Sequence, residues 1–220
     1  MIEYERYYHI YNRGTNSQKI FFEEGDYSHF LDLMSVFLTP VADVYAYALM
    51  GNHFHLALRV KNNDEIGYLN PANSNSDILM TKWKKYLPKS PEEKQKGNFV
   101  KKPDPDKMLQ HLFNSYAKWF NKKYKRTGAL FEHPYERIEV NYENYLKRLI
   151  LYIHNNPLKH GFCEHPAEYG WTSYLGLVSI KSTKLARETV MGWFDNQANF
   201  IAIHKKQDDN FDDIEHLFLE

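Results

Sequence analysis

Only one cysteine, Cys163, occurs in the whole chain. Its solitude excludes an intramolecular disulfide and any zinc module built from several thiolates. No run approaches the ~18 to 20 consecutive apolar residues that a membrane-spanning helix needs. The polar opening MIEYERYYHIYNRG also lacks the layout of a secretory signal. These absences predict a cytoplasmic protein with no membrane partner. The phosphate-cradling pattern G-x-x-x-x-G-K-[ST] is missing too, so no ATP-driven reaction through a P-loop is expected. Formal net charge is likewise absent, because 28 Lys and Arg balance 28 Asp and Glu.

What is present is aromatic. Phe, Trp and Tyr make up 16% of the 220 residues, with 17 tyrosines, and the apolar fraction of 43% supports a packed core. The length suits one large domain, or one domain with appendages. The zero net charge is unevenly spread. The last 14 residues, QDDNFDDIEHLFLE, hold six acids and no Lys or Arg, and the chain without them carries +6. Within that remainder, YAKWFNKKYKR (Tyr116–Arg126) bears five positive charges and no acid. Basic residues interleaved with aromatics suit a phosphate backbone with stackable bases, although a solvated helix face would read the same way.

Hydrophobic periodicity orders the chain as β-α-β-β-α-β-α. RYYHIYNR (6–13) reads as a strand ending at Gly14, and DYSHFLDLMSVFL (26–38) as a helix burying Phe30, Leu33, Met34, Phe37 and Leu38. VADVYAYALM (41–50) and residues 53–60 read as strands joined at Gly51-Asn52 into an antiparallel hairpin. Between 61 and 105 the composition shifts to Asn, Ser, Pro and Lys, which predicts a polar insertion with a short helix around ILMTKWKKYL. Helical spacing returns over 107–125, YERIEV (135–140) reads as a fourth strand, and a last helix (142–156) is expected to start at Asn141 and stop at Pro157. The expected class is α+β: a ferredoxin-like antiparallel sheet with helices packed on one face, the 53–60 strand central and the last helix beside the sheet.

The stretch LMGNHFHLALRV (49–60) sets two histidines one residue apart in a strand. Period-2 alternation turns His53, His55, Ala57 and Arg59 to one face and Phe54, Leu56, Leu58 and Val60 to the other. With helices over the apolar side, the imidazole pair is expected on an open face. Taken alone, the pair fits either a shared ligand or two hydrogen-bonded structural histidines.

Four blocks in order, YHIYNRGTNSQKIFFEEGDYSHF, YALMGNHFHLAL, GALFEHPYERIEV and YLKRLILYIHNNPLKHGF…YGWTSY, resemble the single-tyrosine HUH transposases, most nearly their REP-associated branch. The resemblance covers about residues 4–175 apart from the insertion. It implies a transposase domain over 1–175, interrupted by the insertion at about 61–105, and a C-terminal extension with an acidic tail over 176–220. Members cut and rejoin single-stranded DNA near hairpins with one tyrosine and a divalent cation. On that resemblance His53 and His55 are metal ligands of the HUH motif, Tyr152 is the nucleophile, and Asn156 is a further ligand where some members have Gln. Mg²⁺ or Mn²⁺ is the implied cofactor, and single-stranded DNA with a hairpin or palindromic repeat the implied partner.

Helical spacing places Tyr152 and Asn156 on one face. The expected helix end at Pro157 leaves the aim of Asn156 open. Two neutral imidazoles and a carboxamide would leave a bound cation its full charge for a phosphate. Arg13, Lys118, Lys122, Lys123, Lys125, Arg126, Arg148 and Lys159 are candidate phosphate contacts, while Trp119 and Tyr124 fit base stacking or plain packing. One rival reading is a hairpin-binding module that no longer cuts. Another is a zinc hydrolase using H-x-H, which lacks further well-placed ligands. A homodimer exchanging its tyrosine helix stays open at this stage. If the acidic tail competes with DNA, deleting residues 207–220 will tighten binding to a single strand at low salt, where screening is weakest; equal isotherms for the full and truncated chains would remove that role.

Overall fold

The computed structural model describes residues 2–67, 102–132, 134–141 and 143–206. Most of the expected insertion, its short helix and the acidic tail lie outside the described residues. Strands β1 (Tyr7–Arg13), β2 (Ala42–Leu49), β3 (His53–Val60) and β4 (Glu136–Val140) form an antiparallel sheet in the order β2-β3-β1-β4. Helix α1 (Glu24–Leu38) joins β1 to β2, and α2 (Pro105–Lys123) precedes β4. This is the expected α+β, ferredoxin-like layout with β3 in the interior of the sheet.

Alternation builds two cores from one sheet. Tyr8, Ile10, Phe54, Leu56, Leu58 and Val60 pack against Phe30, Leu33 and Phe37 of α1 and Leu109, Leu112, Phe113, Tyr116 and Phe120 of α2. The N-terminus of α1 is closed by a capping box, in which Asp26 accepts from the backbone of Phe22 and Glu23. That box lies upstream of the first strongly periodic residues, which is why the helix begins at Glu24 and not at 26.

The opposite face differs from expectation: it is covered, not open. Helix α3 (Glu143–Lys159) packs there through Leu146, Leu149, Ile150 and Ile153 on Ala46, Ala48 and Ala57, all three alanines fully buried. A β-bulge between Val44 and Ala46 turns both Tyr45 and Ala46 to this side. The short helices α4 (Tyr174–Val178), α5 (Arg187–Trp193) and α6 (Gln197–Lys205) then seat Tyr174, Leu177, Val190, Phe194 and Phe200 in the same core. Their linkers also occupy the free edge of β2, through Ser173 N–H to Tyr47 O (2.9 Å) and Ala186 N–H to Val44 O (2.9 Å). Burying Phe200 and Val190 offsets the cost of ordering these helices, each too short to hold alone.

Helix α3 does not stop at Pro157 but runs through it to Lys159. Proline forfeits one hydrogen bond to the carbonyl four residues back, a loss tolerated in a last turn on a packed helix. The end is made further on, where Gly161 adopts φ +71° and Phe162 N–H reaches back to Pro157 O at 2.9 Å.

A buried polar chain ties α3 to α6. The His204 Nδ1–H donates to Phe200 O (2.8 Å), His154 Nδ1–H donates to His204 Nε2 (2.9 Å), and Ser173 Oγ–H donates to His154 Nε2 (2.7 Å). Each imidazole is neutral in this chain, and burial pushes His204 down to about 4 and His154 well below the ordinary value. Below pH ~6.5 the unfolded chain therefore binds protons that the folded chain refuses, so stability falls with acid. For His204 alone the loss reaches about 3 kcal/mol by the pH of its folded titration. Urea midpoints at neutral and mildly acid pH will show this fall, and His204→Gln will make it smaller; an unchanged pH dependence would refute the assignment.

Candidate active site

The β1–β3 register brings Arg13 opposite His53 and Tyr11 opposite His55, all facing α3. The hairpin turn that starts β3 is clamped from outside: Asn52 O accepts from Gly14 N–H (2.8 Å), and Gly51 O from Ile20 N–H (2.8 Å) and Phe21 N–H (3.1 Å). Gly14 is required for that approach, because a Cβ there would sit 2.1 Å from Gln18 O. His53 is thereby held at the mouth of the sheet and His55 one step deeper.

Because α3 stays helical through Pro157, Asn156 keeps its aim and its position one turn beyond Tyr152. The Oδ1 of Asn156 lies 3.0 Å from His53 Nε2, and its Nδ2 lies 3.4 Å from His55 Nε2. His53 is oriented from behind by its Nδ1–H donating to Asn52 Oδ1 at 2.7 Å. That bond leaves the Nε2 lone pair facing Asn156. His55 is oriented by His9, whose Nε2 lies 3.0 Å from His55 Nδ1. The Tyr152 ring stands edge-on to both, with centroids 5.5 Å from His55 and 6.2 Å from His9.

Desolvation keeps these imidazoles unprotonated. Burial pushes His9 down to about 3, His53 down to about 4, and His55 well below its ordinary value. Tyr152 and His55 are 8% and 7% exposed, so the site opens through the His53 side, where His160 lies 5.2 Å away ring to ring. The Lys159 Nζ sits over the Tyr152 ring at 5.3 Å.

Among the described residues no three His, Cys, Asp or Glu side chains gather into a metal cluster. The donors that do converge are His53 Nε2, His55 Nε2 and the Asn156 carboxamide. The 3.0 Å spacing of His53 Nε2 and Asn156 Oδ1 suits adjacent ligands of one cation, for which bonds of about 2.1 Å imply ligand separations of roughly 3 Å, while the 3.4 Å contact to His55 Nε2 is made by the Asn156 Nδ2. Moreover, a lone pair of His53 Nε2 faces the carboxamide oxygen, an arrangement that a cation between them would relieve. The residues fit a divalent ion.

No protein-family model matches the chain, and no curated protein is significantly similar to it. Among solved structures, its fold is similar to that of a REP-associated tyrosine transposase bound to a REP hairpin. The TM-score is 0.51 at 11% identity, over 80% of this chain and 81% of that one. At this identity the likeness establishes a common fold.

Of the basic residues singled out from sequence, Lys159, Arg148 and Arg13 lie on the Tyr152 side of the sheet, whereas Lys118, Lys122, Lys123, Lys125 and Arg126 belong to α2 and the turn after it. Helix α2 lies across the sheet from α3. Lys123 is ion-paired with Glu23 and with the fully buried Asp26, both at 2.6 Å, and Arg126 donates to Asn121 (2.9 Å) and Gln18 (2.7 Å). Trp119 stacks on His29 at 4.1 Å and Tyr124 O–H donates to Asp26, so both are packing residues. Lys118, Lys122 and Lys125 are exposed. Arg13 pairs with Glu132 beside His53, while Arg148 is half-buried on α3, one turn before Tyr152. Sequence reasoning passed over His9 and Asn52, whereas His160, adjacent to Lys159 after the tyrosine helix, was open to reading as a DNA contact. His9 does share the period-2 face of β1 with Tyr11 and Arg13, but nothing local reveals that β1 lies beside the histidine strand.

Because His55 is buried and not on an open face, its removal strands His9 Nε2 and leaves a void. His55→Ala will cost about 2–4 kcal/mol in metal-free buffer, whereas His53→Ala, at the mouth, will cost about 1 kcal/mol or less. Urea unfolding of both variants checks the order, and equal losses would contradict it.

Proposed function

We propose that the chain is a metal-dependent transposase or endonuclease that cleaves and rejoins single-stranded DNA near hairpins through a 5′-phosphotyrosine intermediate. The observation that carries this reading is the convergence of His53, His55 and Asn156 beside the Tyr152 ring on a ferredoxin-like sheet. The similarity in fold to a transposase solved with a hairpin supports it, as does the match of the donor set to one divalent cation. On this reading residues 1–175 carry the catalytic unit and 176–220 its extension.

Tyr152 supplies the nucleophile. Its oxygen attacks the scissile phosphorus, the bond from phosphorus to the 3′ oxygen breaks, the phenolic proton is lost to solvent, and the leaving oxygen ends as a 3′-OH. The phosphodiester to tyrosine conserves the ester bond, so a second 3′-OH can displace the phenol and reseal the strand without ATP. Lys159, above the ring at 5.3 Å, lies where negative charge develops on the phenol. When bound by His53, His55 and Asn156, Mg²⁺ or Mn²⁺ supplies Lewis-acid polarisation of the phosphate. The nitrogen donors favour Mn²⁺ in affinity. Arg13, Arg148 and Lys159 flank the strand near the site. Lys118, Lys122 and Lys125 act on a more distant part of the DNA, and Lys123 and Arg126 contribute mainly through the fold.

A hairpin-binding module that no longer cuts is the second reading, and Tyr152→Phe separates the two. The variant will form no covalent adduct with a labelled hairpin-bearing oligonucleotide in Mn²⁺ while binding it within a few-fold of the wild type. An adduct in the phenylalanine variant would move the nucleophile to another tyrosine. No adduct in the wild type would leave the binding module.

A further inference from the structure

The His9–His55 contact has two forms, and only one of them allows His55 to bind a cation. An imidazole carries a single proton when neutral, so the nitrogen that holds it cannot also offer a lone pair. If His9 Nε2 donates across the 3.0 Å contact, His55 Nδ1 is the acceptor. Its proton then sits on Nε2, facing Asn156 3.4 Å away, and blocks that position to a metal. If His9 keeps its proton on Nδ1, its Nε2 accepts from His55 Nδ1–H, and the Nε2 of His55 is free to coordinate. We propose that His9 is the positioning residue that holds His55 in its Nδ1–H form, and that the buried imidazole does for His55 what Asn52 does for His53.

The surroundings fit a neutral partner held in one orientation. His9 has no solvent exposure. Its ring lies near-parallel to that of His55, at 20° and 5.1 Å between centroids, and to that of Tyr11, at 29° and 4.9 Å. The Tyr152 ring closes the other side, at 82°. Rotation of either imidazole is therefore restricted, and tautomer exchange is the remaining freedom of the pair. Residues behind metal-bound histidines usually offer a carboxylate or a carbonyl. A neutral imidazole adds no negative charge, which keeps the cation's charge available to a phosphate. In this respect His9 matches the uncharged donor set in front of it.

This inference rests on the metal reading of the site, and the experiment keeps the two apart. Wild type, His9→Gln and His9→Leu are compared by Mn²⁺ titration calorimetry and by ¹⁵N spectra of the metal-free proteins, which report the tautomer of His55. Glutamine can place an oxygen near the position of His9 Nε2 and accept the same hydrogen bond, whereas leucine cannot. The expected result is a His55 Nδ1–H signature in the wild type and His9→Gln. In His9→Leu that signature is lost and Mn²⁺ affinity falls by about 10- to 100-fold, with glutamine restoring most of it. Thermal unfolding in metal-free buffer identifies any variant that fails to fold, and the wild-type tautomer then decides alone. An Nε2–H tautomer in the wild type, or equal Mn²⁺ affinity in folded His9→Leu, overturns the role of His9. A wild type that binds no Mn²⁺ overturns the metal reading instead, and the tautomer signature still decides whether His9 orients His55.

Discussion

Everything at the candidate site depends on how closely α3 lies on the sheet. Ala46, Ala48 and Ala57 form a floor of small side chains beneath Leu149, Ile150 and Ile153. A larger residue at any of the three would lift the helix, and the Asn156 carboxamide would lose both imidazoles at once. The bulge in β2 belongs to the same constraint, because it turns Ala46 to the helix side along with Tyr45. The helices after α3 press it down from behind, and their linkers cover the β2 edge that would otherwise be exposed for pairing.

Burial that fixes the geometry also fixes the protonation. His9, His53 and His55 are desolvated enough to stay neutral over the physiological range, so each must find a hydrogen-bond partner instead of a counter-ion. Asn52, Asn156 and the imidazoles themselves supply these partners. The second histidine pair, His154 and His204, obeys the same rule on the far side of α3, with Ser173 and a backbone carbonyl at its ends. The tyrosine helix is thus held by hydrogen bonds among neutral groups on two sides. A charged cluster lies across the sheet, where Lys123 joins Glu23 and Asp26 between α1 and α2.

Several features were legible in the chain. The strand at 53–60 has the bounds read from its alternation, and β1, β2 and α1 differ from the reading by one or two residues at an end. Such ends are set by caps, not by periodicity, as Glu23 and Asp26 show for α1. The expected stop at Pro157 failed because local preference was outweighed by the packing of the whole helix. The role of Lys123 was hidden for a related reason: charge spacing along α2 does not reveal that Asp26, nearly a hundred residues earlier, is its partner.

The sequence by itself determined the periods. Alternation put His53 and His55 on one face, helical spacing put Tyr152 and Asn156 on another, and the single cysteine excluded an intramolecular disulfide. Only the tertiary structure decided that those two faces meet. It also decided that the expected open face is covered, and that His9 and Asn52 stand behind the two histidines. The physical reason is range. Periodicity is set by backbone geometry within one element, whereas strand neighbours, helix approach and hydrogen-bond partners are set by the burial of residues far apart in the chain.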